Sequence, residues 1–342
     1  MNPRRWWILA AALPCVLVLH GAEAGRMLLG LEGEAAAVAA WLAVFWPFAW
    51  AKATWRRRAV EWVAILRDPL SRAGLFTVLG LAFVGIFAPL LVVHSPDLMG
   101  DAVIDRYAAP SVSHWMGTDL LGRDVFSRVV HGARVSLGIA VASVVVSVGL
   151  GTMIGALAAW HGRWVDGVLM RFTDLALAFP RLFLVLLLVA LVEPGPGWIV
   201  VVLGATGWMG VARVVRGQVL QQREVEYVEA ARALGVPDLE VLRRHVLPAT
   251  LAPVLALSTL RVGNAILAES FLSFLGLGVQ DPWVSWGMLI RAGRDNLVDA
   301  WWLAVFPGAA ITWTVLGFNL LGDGLRDALD PRSLSGTGSL DD

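Results

Sequence analysis

Eight apolar runs dictate what this chain can become: they lie near Trp6–His20, Ala35–Ala51, Leu75–Val93, Leu137–Ala159, Leu175–Val192, Trp198–Val215, Leu251–Leu272 and Ala300–Leu321. Each is close to the roughly 17–25 residues that carry a helix through hydrocarbon, where backbone polar groups must be satisfied within the segment itself. An all-α polytopic membrane bundle is therefore the expected fold. The first two runs are the weakest. Composition agrees, with 58% hydrophobic and 16% charged residues and a mean hydropathy of +0.70, well above soluble-domain usage. Seventeen tryptophans against two tyrosines suit a chain anchored at bilayer interfaces. The single cysteine, Cys15, excludes a disulfide within the chain and a cysteine-built zinc site. A net charge of zero gives no overall field that would attract nucleic acid.

The distribution of charge sets the orientation. Both termini placed in the cytoplasm put 18 Lys and Arg on cytoplasmic segments and 7 outside, with Arg213 counted in the loop it borders. This is the positive-inside bias, and Lys52-Ala-Thr-Trp-Arg56-Arg57-Arg58 is its strongest marker. A rival reading at the amino terminus takes Ala22-Glu23-Ala24 as a signal-peptidase site, but bulky Trp6 and Trp7 and the close second run weigh against removal of residues 1–24.

Within the spans, Ser147, Gly151, Gly155 and Ala159 recur every four residues, a small-residue face against which another helix can pack closely. Pro180 is expected to kink its helix. Between two apolar runs stands a charged island, EYVEAARALGVPDLEVLRRHVLPAT, at 226–250. Tyr227, Ala230, Ala231 and Leu234 share one helical face, and Gly235 suits a left-handed cap. Pro237 opens a second helix with Asp238 and Glu240 in its first turn, Leu239, Leu242 and Val246 as its stripe, Arg243, Arg244 and His245 near its end and Pro248 as its stop. The spacing alone is equally that of a compact knob or of a solvated connector.

The residues add a resemblance. Glu229-Ala230-Ala231, then Gly235, then Leu247-Pro248 resembles the EAA loop of ATP-binding-cassette (ABC) importer membrane subunits, a coupling helix seated in a groove of the cytoplasmic ATPase. Four further blocks, HWMGTDLLGRDVFSRVVHGARVSLGIA (114–140), LAFPRLFLVLLLVAL (177–191), SFLGLGVQDPWVSWG (273–287) and FNLLGDGLRDALDPR (318–332), look like the C-type permease of the dipeptide/oligopeptide/nickel branch. The resemblance covers about residues 65–332 and departs at His245, where the general pattern has an aliphatic residue. It implies a type I importer core of six spans in a permease domain at 61–332, with the coupling loop at 216–250. Residues 1–60 would be an extension carrying two added spans, and 333–342 a disordered tail.

The implied function is half of a translocation path for di- or oligopeptides in the inner membrane, with nickel or another small solute as the alternative. Implied partners are a B-type permease, two ATPase subunits and an extracytoplasmic peptide-binding protein. No enzymatic activity, cofactor or metal is implied for this chain. Independently of the resemblance, Lys52 is the only lysine and follows no glycine-rich loop, so the sequence has no Walker A site. No His-Glu-x-x-His or Gly-x-Ser-x-Gly motif occurs, and the six histidines lack metal-ligand spacing. A secondary carrier, the alternative from another class, would need no cytoplasmic knob and is expected to carry a relay of intramembrane carboxylates.

Arg261 and Glu269 lie in the seventh run, either lining the translocation path or making interhelical hydrogen bonds. Asp174 and Arg181 read as packing or snorkelling residues. In the outer stretch 95–134, Leu121, Val125, Val129 and Val130, with Asp124 paired to Arg128, suggest a helix along the interface that lids the bundle or receives a binding protein. Asp281–Asp299, with Trp283 and Trp286, reads as an outer loop dipping to the interface.

Overall fold

The computed structural model describes residues 66–329 except 67, 93, 101–104 and 194. The two amino-terminal runs, the 1–60 extension, the possible cleavage site and the 333–342 tail lie outside the described residues. Among those described there is no strand, only an isolated bridge between Thr118 and Asp124. Five helices are long and apolar enough to cross a membrane, or up to six if a bent pair makes one span.

Helix α1 (Pro69–Leu91) begins at Asp68, whose carboxylate accepts from the Ser71 amide at 2.7 Å. Helix α2 (Val125–His161) has 37 residues, roughly 55 Å at 1.5 Å per residue, so it must project beyond the hydrocarbon. The next apolar stretch is a bent pair. Helices α3 (Arg163–Ala178) and α4 (Arg181–Val189) meet at 84°. Pro180 drives Phe179 into extended backbone (φ −81°, ψ 133°), the conformation favoured for a residue before proline. The expected kink is thus a full break.

Helix α5 (Pro196–Arg223) packs along α2 in the most extensive helix contact of the bundle. The small-residue face makes that contact possible: a Cβ on Gly151 would collide with Val211, and one on Gly155 with the Ala212 carbonyl. Van der Waals contact at short range is what holds helices together where lipid competes for apolar surface. Toward the end of this layer nearest the charged island, the Arg216 guanidinium grips Asp166 through two bonds of 2.5 and 2.6 Å, tying α5 to α3.

Two short helices, α6 (Glu226–Ala233) and α7 (Asp238–Val241), precede helix α8 (Leu247–Phe274). A short α9 (Trp286–Gly293) and the final span α10 (Trp302–Leu329) complete the bundle.

Two expectations for the outer side are corrected. Val125, Val129 and Val130 do not lie on an interfacial helix; all three are buried in the first turns of α2, Val125 and Val129 within the main core. Nor do Asp124 and Arg128 pair. Asp124 is the extended N-cap of α2, so its carboxylate turns to the Ser127 amide and hydroxyl at 2.8 and 2.7 Å. Arg128, only 1% exposed, reaches Asp119 at 3.4 Å instead. Trp286 is likewise a core residue at 1% exposure, its indole N–H donating to the Val129 carbonyl at 2.9 Å, whereas Trp283 is largely exposed.

Candidate functional site

The island forms two short helices around a glycine elbow. Gly235 adopts φ +79°, the left-handed conformation that a side chain disfavours. Helix α6 buries Val228 and half-buries Ala231, while Tyr227, Glu229, Ala230 and Leu234 remain exposed. In α7, Val241 takes the buried position that spacing assigned to Leu239. Val228, Val241, Leu242 and Val246 join Val211, Val215 and Val219 of α5 in one apolar cluster. The knob thus has a buried stem and a greasy outer face, on which Leu234 is 85% and Leu239 74% exposed. Glu229 has no ion pair among the described residues. Its neighbours are paired internally: Arg232 sits 4.8 Å over the Trp160 ring and 3.3 Å from Asp238, and Arg244 meets Glu240 at 2.7 Å.

Pro248 does not stop a helix, which corrects the expectation from sequence. Residues Leu242–Val246 form one π-helical turn that continues directly into α8, with Leu247 and Pro248 in its first turn. A proline lacks the amide for an i−4 bond and crowds that carbonyl; here the Leu247 amide reaches back to the Leu242 carbonyl, and the wider turn makes room. The second helix of the knob and the helix carrying Arg261 and Glu269 are therefore one continuous helical path, with α6 joined to it across the glycine elbow.

Arg261 lines a cavity of about 390 Å³ between α2, α5 and α8, together with Arg181, Ser143, Ser147 and Asn264. A second cavity of about 190 Å³ is lined by the same two arginines, Phe179, Thr206 and the glycines Gly207 and Gly210. Both guanidiniums therefore stand where the two spaces adjoin. Arg261 donates to the Gly207 carbonyl at 2.9 Å, and its Nε is buried with no partner. Arg181 reaches the site because it is the first residue of α4, immediately after the break. Asp174, read from sequence like Arg181 as a packing or snorkelling residue, lies away from the cavities and pairs with Arg213 at 2.5 Å. A cation within a span costs about 3 kcal/mol on insertion scales, and two like charges facing one space add repulsion. Nothing in the local sequence around either arginine signals this meeting, which only the tertiary fold creates.

Glu269 lies apart from both cavities and is fully buried. Its carboxylate accepts from the hydroxyls of Ser273 (2.8 Å), Ser136 (3.2 Å) and Ser270 (3.4 Å). Two of those hydroxyls in turn accept backbone amides, Ser136 from Trp286 at 3.2 Å and Ser273 from Val279 at 3.0 Å. The group organises the turn between α8 and α9.

Residues 151–335 match the family described as binding-protein-dependent transport system inner membrane component. The chain is 42% identical over 272 residues to the dipeptide transport system permease protein DppC of Bacillus subtilis, an alignment covering 79% of this chain and 84% of that one. It is 40% identical over 279 residues to the glutathione transport system permease protein GsiD of Pectobacterium atrosepticum, covering 81% and 90%. Against the DppC of Alkalihalophilus pseudofirmus the identity is 39% over 269 residues, covering 79% and 88%.

Proposed function

The chain belongs to the binding-protein-dependent transport permeases, the inner-membrane components of ABC importers, and from that membership we propose that it forms half of a translocation path for di- or oligopeptides. A B-type permease would supply the other half. Two cytoplasmic ATPase subunits would supply the energy and an extracytoplasmic peptide-binding protein the substrate, with both termini of this chain in the cytoplasm. The named relatives act on dipeptides and glutathione, which favours a peptide over nickel.

The observation that carries the coupling assignment is the free outer face of the island. Leu234, Leu239 and the unpaired Glu229 are all exposed on a knob whose stem is buried. A solvated connector gains nothing from such a face, and a secondary carrier has no use for it; an ATPase groove would bury it. Closure of the ATPase dimer would then push the knob, and the unbroken π turn and α8 would carry that displacement to Arg261. Path access would alternate as the bundle rocks.

This reading expects the purified single chain to hydrolyse no ATP, and the same chain expressed with its partners to purify as a complex with a second permease and ATPase subunits. ATP hydrolysis by the isolated chain, after removal of every co-purifying ATPase, would contradict it.

A further inference from the structure

The space between Arg181 and Arg261 holds an excess of positive charge with no counter-charge. Its polar lining comprises the two guanidiniums, Asn264, Ser143 and Ser147, and contains no carboxylate. Neither arginine forms an ion pair among the described residues. The serines do not compensate, because each hydroxyl donates to its own helix: Ser143 to the Ala140 carbonyl and Ser147 to the Val144 carbonyl. Both arginines approach the same stretch of α5 at a point stripped of side chains. A Cβ on Gly207 would lie 3.4 Å from an Arg181 terminal nitrogen, and one on Gly210 would lie 2.8 Å from an Arg261 terminal nitrogen. The neighbouring cavity of about 390 Å³ is within the size range of small-molecule sites.

We propose that Arg181 and Arg261 form a carboxylate-binding site in the path and that its ligand is the C-terminal carboxylate of the peptide in transit. The proposal rests on the peptide-importer reading above. A guanidinium presents planar donors that match a carboxylate in two parallel bonds, and two of them can share its oxygens. The Arg261 Nε is buried without a partner, so the chain itself does not use up the donors of this guanidinium. The C-terminal carboxylate is the anion common to peptides of any sequence, whereas acidic side chains vary. A site that reads only this group would accept many peptides without reading their residues. Because the cavity belongs to one half of the path, it would supply only part of the ligand's contacts and hold it weakly enough to release it.

The test uses the assembled transporter in proteoliposomes with saturating peptide-binding protein, and compares uptake of Ala-Ala with that of its C-terminal amide. Arg261→Gln and Arg181→Gln are expected to lower free-acid uptake about tenfold or more, the loss appropriate to a charge-assisted bond, and to leave amide uptake within about twofold of wild type. Arg261→Lys, which keeps the charge and loses the planar fork, should restore only part of the free-acid uptake. Equal losses for acid and amide, with stimulated ATP hydrolysis retained, would overturn the proposal and direct the charge to a carboxylate of the partner permease. Failure of the wild-type complex to import either compound would instead overturn the peptide-importer reading. A second measurement does not depend on what the binding protein accepts: phenylglyoxal labelling of Arg181 and Arg261 in the wild-type complex, read by mass spectrometry. Protection of both residues by Ala-Ala and not by its amide supports the site, and protection by neither contradicts it.

Discussion

Glu269 shows how little a side chain's identity says about its task inside a membrane. Its carboxylate and Arg261 sit on the same helix, and either could line a path; burial and partners separate them. Arg261 faces two cavities, whereas Glu269 is enclosed by Ser136, Ser270 and Ser273, two of which pass hydrogen bonds on to the Trp286 and Val279 amides. Removing the acceptor would leave several buried hydroxyls without a partner. Glu269→Ala is therefore expected to cost about 3 kcal/mol, the order for removing a buried acceptor shared by several hydroxyls, and to lower the melting temperature of the detergent-solubilised complex. Ser273→Ala should cost less, about 1–2 kcal/mol. An unchanged melting temperature for Glu269→Ala, with transport lost, would make it a path residue after all. The sequence disclosed that both residues were intramembrane and ionisable. It could not disclose that Arg181 joins Arg261, because the bent pair that brings them together is a tertiary feature.

Among the elements, the spans from α1 to α10 were legible because apolar length is a one-dimensional property that lipid enforces on any chain. Their ends were not. The run Leu137–Ala159 is the hydrophobic part of a helix that starts at Val125, and Ser127, Arg128, His131 and Arg134 hide its outer turns from a hydropathy reading. Trp286 was misplaced for a similar reason, since an interfacial and a buried tryptophan look alike until the Val129 carbonyl is found beside the indole. By contrast, the four-residue repeat of small side chains on α2 was legible, because close helix approach has few other solutions. This contact gives a prediction. A valine at position 155 would overlap the Ala212 carbonyl, whereas a Cβ at Gly149 would meet nothing within 4 Å. Gly155→Val should destabilise the purified protein by about 1–3 kcal/mol through overpacking, and Gly149→Val should leave its melting temperature near wild type. Equal melting temperatures for the two variants would mean that α2 and α5 do not meet at the glycine face.

At the scale of the whole molecule, the permease is proposed to work as a lever: a charged island between spans, a helix that runs on from its second half, and a cavity lined by two arginines along that helix. Residues 1–60 have no assigned part in this lever. A chain starting at residue 61 behind a new methionine is expected to assemble and transport at matched membrane levels, because the sequence still supplies Arg67 and Arg72 as the positive flank that would favour a cytoplasmic start for the first retained span. Loss of assembly would make the extension integral. The lever itself depends on the island meeting an ATPase, and the legible motif, Glu229 to Gly235 with Leu247-Pro248, becomes informative through the structure, which leaves Leu234, Leu239 and Glu229 free on a buried stem. A desolvated interface hot spot is worth about 2–4 kcal/mol, and an exposed loop charge about 1 kcal/mol or less. The decisive measurement is ATP-dependent peptide uptake and ATPase retention in membranes carrying equal amounts of wild type, Glu229→Arg, and Glu224→Arg as an exposed charge outside the motif. Glu229→Arg should insert normally yet lose uptake or shed the ATPase, while Glu224→Arg transports as wild type. If both variants transport normally, the island is a solvated connector and force does not enter the bundle there.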